Sequence, residues 1–235
     1  MIPALKSTTR MVALFSLCVA LMLVLGLLDR AVPLSALLSG GVPGLKLGLA
    51  NTVLLYAVYL LDWKASVLLM FAKVMLSGFL FGSLSAILYS LSGGILSLAV
   101  MLAARKNPTL SAIIVCIAAF LSDTLLLSRN SAPGGQMLLC VCLIGLAGLA
   151  ALVFFLLIRR YPDWGIIGVS MSGAVSHNIG QVLMAARVLR TPQLLTIYLP
   201  VLIGLGAAVG VLTGLVARHV LHALRKLPEG GFLPR

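Results

Sequence analysis

Apolar runs of about 20 residues, the length one helix needs to cross a bilayer, recur along this chain with only short gaps of charged, Gly or Pro residues between them. Such a chain is predicted to be an all-α integral membrane protein. Eight runs stand out: Met11 to Leu28, Leu47 to Leu61, Ala65 to Phe81, Ser85 to Ala104, Leu110 to Leu127, Met137 to Ile158, Ile166 to Ala186 and Leu195 to Ala217. The first follows Lys6 and Arg10 as a signal peptide would. It ends Leu27-Leu28-Asp29-Arg30 without a small-x-small cleavage site, so it is read as the first helix.

Charge usage agrees. Of 235 residues, 61% are hydrophobic and 9% charged, whereas a soluble domain carries about 25% charged residues. The net charge of +12 would suit nucleic acid if the cations shared one water-exposed face. They lie instead between apolar runs, so nucleic acid is excluded as a partner and the lipid bilayer takes its place.

With the N-terminus inside, Lys6, Arg10, Lys64, Arg105, Lys106, Arg159, Arg160, Arg218, Arg225, Lys226 and Arg235 fall in the cytoplasm. Arg30, Lys46, Arg129, Arg187 and Arg190 fall outside, and Lys73 lies within a span. That asymmetry satisfies the positive-inside rule. The expectation is a multi-pass protein of the cytoplasmic (inner) membrane with both termini in the cytoplasm.

Small residues recur every four positions at Gly206, Gly210 and Gly214 and at Gly78 and Gly82, a spacing that lets apolar helices pack closely in lipid. Cys18, Cys116, Cys140 and Cys142 lie inside apolar runs and form no Cys-x-x-Cys pair, so they read as buried thiols. No metal-ligand spacing and no cofactor motif is present.

Polar groups in hydrocarbon are costly and mark candidate sites. Lys73 is nine residues past Lys64, roughly 13 Å along a helix and too deep for easy snorkelling. Ser176-His177-Asn178 and Gln181 form the densest polar cluster, and His177 and Gln181, four apart, share one helix face. The segment Gly40 to Asn51 is rich in Gly and Pro and sets Lys46 at its mouth and Asn51 about a turn inside the next helix. With Gly41, Pro43, Gly44 and Gly48 it reads either as a gate over an outward-facing pocket or as a re-entrant turn whose glycines permit packing. If these groups face one cavity, Lys46, Lys73, His177 and Arg187 supply cations or donors, and Asn51, Asn178 and Gln181 supply amides. The solute would then be small and anionic, a carboxylate or phosphate. The alternative for Lys73 and His177 is internal hydrogen bonding that fixes helix register, with Asp123 available as a counter-ion.

The strings Val42-Pro43-Gly44-Leu45-Lys46-Leu47-Gly48-Leu49-Ala50-Asn51, Gly78-Phe79-Leu80-Phe81-Gly82-Ser83, Leu91-Ser92-Gly93-Gly94, Gly173-Ala174-Val175-Ser176-His177-Asn178-Ile179-Gly180-Gln181 and Tyr198-Leu199-Pro200-Val201-Leu202 resemble the Gx transporter family. Its members are often labelled heptaprenyl diphosphate synthase component I. The family is similar to the substrate-binding S-components of energy-coupling factor transporters, six-helix bundles whose external first loop closes over a small molecule. The resemblance covers about residues 10–104 and 165–220 and implies one transmembrane domain over 1–235, a six-helix S-component-like bundle with a two-helix insertion at about 107–163. It also implies energy-coupling transmembrane and ATPase subunits as partners, and the label implies a prenyltransferase subunit. Two departures stand out: the insertion itself, and a first helix in which Ser16 and Ala20 stand in place of the Ala-x-x-x-Ala pair through which S-components meet their transmembrane partner.

The label does not imply an enzyme. Prenyl diphosphate synthesis needs magnesium held by clustered carboxylates, and this chain has five Asp and Glu in all, none close together. No nucleotide loop or catalytic triad appears either. The expected function is therefore non-catalytic: binding of a small anionic solute from outside for uptake, through Lys46, Asn51, Lys73, His177, Asn178 and Gln181. The alternative is an accessory component of polyprenyl diphosphate or quinone metabolism. A proton or ion path through His177 and Lys73 lacks a carboxylate relay and ranks below both.

Overall fold

The computed structural model describes residues 3–31, 50–81, 84–129 and 165–225, with positions 153, 156 and 160. Every element among the described residues is a helix: α1 Pro3–Ala31, α2 Asn51–Leu60, α3 Trp63–Phe81, α4 Leu84–Lys106, α5 Pro108–Arg129, α6 Gly165–Val188 and α7 Gln193–Arg225. Among the described residues, three stretches are long and apolar enough to cross a membrane: Met11–Leu28 in α1, Leu84–Lys106 itself, and Tyr198–Ala223 in α7. The run expected to start at Leu47 is helical from Asn51, and of the run Met137 to Ile158 only Val153 and Leu156 are described, both helical.

Local chemistry sets the helix ends. Leu61, extended at φ −115° and ψ 167°, closes α2. The carbonyl of Asp62 then accepts bonds from the Ser66 amide and hydroxyl and opens α3. Pro108, which has no N–H to leave unsatisfied, begins α5. Arg105 donates to the carbonyl of Val58 and lies over the Tyr59 ring at 5.4 Å. It thus places a cation on the negative end of α2. Arg105→Ala is expected to lower stability by about 1 kcal/mol, measured as the thermal midpoint in detergent; an unchanged midpoint would remove this capping role.

The bundle has two apolar centres. One joins α1, α2, α3 and α4 to the start of α6 and the end of α7 through Met22, Leu54, Leu69, Met101, Val169 and Ala217. The other joins α5, α6 and α7, with Tyr89 of α4, around Val175, Val182, Leu199, Leu202 and Ile203. Outward, α1 exposes Val12, Leu17, Leu21, Val24, Leu27 and Leu28, an apolar surface suited to lipid.

Small residues set the closest approaches. A Cβ on Gly206 would lie 2.6 Å from Asn178 Nδ2, one on Gly210 2.6 Å from Met171 Cα, and one on Gly214 2.8 Å from Ile167 Cα. Advancing along α7 thus matches retreating along α6, so the two helices are antiparallel in one register, with Ser170 and Thr213 hydroxyls bonded across it at 2.9 Å. Apolar helices gain little from hydrophobic burial in lipid, so such contact carries their association. Gly78, on α3, faces the Ile87 side chain, while Gly82 lies outside the described residues.

Helices α4 and α6 are also antiparallel. Ser92 Oγ donates to the Gly180 carbonyl at 3.0 Å and Ser97 Oγ to that of Gly173 at 2.8 Å. Between these bonds Gly180 meets Gly93 backbone to backbone, leaving 2.9 Å between its would-be Cβ and Gly93 Cα.

Candidate functional site

Helix α4 carries two adjacent glycines that face different neighbours. A Cβ on Gly93 would lie 2.8 Å from His177 Nδ1 and 2.9 Å from Gln181 Cγ, whereas one on Gly94 would lie 3.1 Å from Met70 Cγ, with Val74 next. Lys73 belongs to the same turn of α3 as Met70 and Val74. The Gly93-Gly94 step therefore separates the turn of α3 that bears Lys73 from the turn of α6 that bears His177. Both turns lie at similar depth, roughly 15 Å along α3 from Trp63 and roughly 18 Å along α6 from Gly165 at 1.5 Å per residue.

On the α3 side, Lys73 Nζ donates to Asn51 Oδ1 at 2.8 Å. Asn51 is the first residue of α2 and is 3% exposed. The residue before it, Ala50, offers no side-chain cap, and the Asn51 carbonyl oxygen is engaged with the ammonium. Its Nδ2 is buried with no hydrogen-bond partner among the described residues. An unmet buried amide donor costs about 1–3 kcal/mol.

On the α6 side, His177 and Gln181 are 2% and 1% exposed and bond side chain to side chain. With the Gln181 amide nitrogen as donor, His177 Nε2 accepts, and the neutral ring carries its proton on Nδ1, the nitrogen facing Gly93. Ser176 Oγ turns back to the carbonyl of Ser172 in its own helix. Asn178 points elsewhere: its Nδ2 donates to the Leu202 carbonyl at 2.7 Å. That bond ties α6 to α7 two residues beyond Pro200, where the missing N–H deprives α7 of an internal bond. Gly206 makes room for it.

The structure thus brings together Asn51 with Lys73 and His177 with Gln181, and sets Asn178 on the α7 seam. Lys46, Gly41, Pro43, Gly44 and Gly48 lie outside the described residues, as does the Asp123 side chain. Arg187 does not join the buried groups. It is exposed and lines a separate cavity at the α6–α7 turn. Among the described residues no group of His, Cys, Asp and Glu is placed to hold a metal.

Sequence reasoning missed the roles of Ser92, Gly93, Ser97 and Gly180 as the α4–α6 contact. The adjacent glycines inside an apolar run were the available signal. Their use appears only once α4 and α6 are set side by side, because no second glycine stands four residues from Gly180 in its own helix.

The arrangement defines a class: an all-helical protein with membrane-length apolar helices and amide, imidazole and ammonium groups in its interior. Sequence comparison supplies the family. The model of the heptaprenyl diphosphate synthase component I family matches residues 17–127 and 125–220, and the chain belongs to that family. No curated protein and no solved structure gives a significant match.

Proposed function

We propose that the chain is the membrane-embedded solute-binding subunit of an uptake system, of the Gx transporter and S-component-like kind, and that its solute is a small anion. The observation that carries the reading is the Asn51–Lys73 pair: a buried amide donor left over beside an ammonium. A carboxylate or phosphate oxygen would accept from that amide while facing the ammonium, and a charge-assisted bond offsets part of the anion's lost hydration. His177 and Gln181 supply a second buried polar pair across the Gly93-Gly94 step, and Lys46 in the preceding segment adds a cation at the mouth.

In this reading the chain forms one multi-pass domain of the cytoplasmic membrane with both termini inside. It has a core of about residues 10–104 and 165–220, an insertion at about 107–163, and Gly41 to Gly48 as the gate. It has no catalytic role, and energy comes from transmembrane and ATPase subunits. Protein purified mildly should retain a small anion identifiable by mass spectrometry. That anion should raise the thermal midpoint of the wild type but not of Lys73→Ala or His177→Ala. Full stabilisation of both variants would sink the site assignment.

The family's name favours a second reading, an accessory component of polyprenyl diphosphate metabolism that docks a soluble prenyltransferase. It predicts co-purification with such an enzyme and no retained solute. Buried polar groups tell against it, since a polyprenyl tail offers them no partner.

A further inference from the structure

At the end of α6 the chain reverses through Leu189 to Pro192, and a cavity of about 630 Å³ opens beside the turn. Its lining divides by chemistry: Leu183, Ala186 and Leu195 are apolar, Arg187 and Arg190 are cationic, and Pro192 closes the turn. We propose that this cavity is a binding site for the phosphodiester headgroup of an anionic phospholipid.

The cavity faces away from the buried polar groups. Leu183 is 48% exposed whereas its neighbour Val182 is fully buried with Gln181, so Leu183 and Arg187 lie on the outer side of α6. Apolar side chains on that side suit the upper part of an acyl chain, and the arginines one turn further along suit the headgroup level. A guanidinium presents a planar fork that matches two phosphate oxygens. The cations are uncompensated along the sequence, since no Asp or Glu occurs between Asp163 and Glu229. The start of α7 at Gln193 adds the positive end of a helix dipole.

The ordinary explanation for arginines here is capping of the α6 carbonyls, but backbone groups already do that. The Leu189 amide bonds the Ala185 carbonyl at 2.9 Å and the Thr191 amide that of Ala186 at 3.1 Å. This closure puts Arg190 in the left-handed region at φ 52°, where glycine is the easy residue. An arginine there serves the backbone poorly and the cavity well.

The inference needs α6 and α7 to meet the bilayer but not the solute reading, and it is tested apart from it. Full-length protein is reconstituted in vesicles of phosphatidylcholine with phosphatidylglycerol, extracted, and its retained lipid counted by native mass spectrometry. Wild type, Lys73→Ala and His177→Ala should all retain phosphatidylglycerol selectively. The double variant Arg187→Gln with Arg190→Gly should lose that selectivity by about thirtyfold, at about 1 kcal/mol for each of the two cations near an anionic surface. Its thermal midpoint should not fall by the same cause, because glycine fits the left-handed position. Lys106→Gln, which removes an exposed cation elsewhere, should retain the lipid as wild type does. Equal loss in Lys106→Gln, undiminished selectivity in the double variant, or displacement of the lipid by millimolar inorganic phosphate would each overturn the proposal, the last in favour of a free phosphate site.

Discussion

Gly210→Ala is expected to destabilise the protein by about 2 kcal/mol or more, within the range that overpacking costs. The added methyl would sit 2.6 Å from Met171 Cα and 3.1 Å from its amide nitrogen. Both are backbone atoms that no rotamer change can move aside, so α6 and α7 must separate. Separation weakens the Ser170–Thr213 bond and the Asn178–Leu202 bond together. Gly204→Ala in the same helix is the control. A Cβ there meets nothing within 4 Å, and alanine is the better helix former by up to about 1 kcal/mol, so this variant should be as stable as wild type or more so. Thermal midpoints in one detergent compare the two, and equal loss in both would show that helix propensity, not contact, governs α7.

Asn51→Leu should cost about 2–3 kcal/mol, the value of a hydrogen bond to a charged group. It takes the Oδ1 acceptor from an ammonium far from either helix end. Lys73→Met should be near neutral or stabilising without solute, because it removes the charge whose burial the bond offsets. The double variant should then recover most of what Asn51→Leu loses. This asymmetry, read as a mutant cycle of unfolding midpoints, separates a bond that merely accommodates Lys73 from one that holds α2 on α3. Additive effects of the two changes would show that they do not interact.

Much of the fold was legible because apolar run length and bounding charges report helices directly. The expected runs coincide with α3 to α6 to within two residues, whereas α1 begins eight residues earlier and α7 ends eight residues later than its run. Gly206, Gly210 and Gly214 all face α6, since four-residue spacing keeps residues on one face whatever that face meets. The pairing of polar groups was not legible. Asn51 and Lys73 are 22 positions apart on different helices, and nothing in the spacing joins them. Asn178 sits beside His177 in the chain, yet a 100° turn of helix sends its amide to α7. Arg187 was offered as a further cation only if the polar groups shared one cavity, and the side of α6 it faces depends on which neighbours cover the helix.

The Gly93-Gly94 step also bears on how the bundle can move. Were α4 turned about its axis by one residue, either Ser92 would stand where the bare Gly93 Cα now meets α6 or Ile95 where Gly94 now meets Met70 of α3, and both gaps are already tight for a single Cβ. Helix α4 therefore cannot roll against α6, and three glycines of α7 lock that helix to α6 in the same manner. These three helices form one stiff slab that shifts only as a piece. Relative motion within the bundle is left to the border of that slab, along the seams of α1, α2 and α5, where no glycine clasp occurs among the described residues.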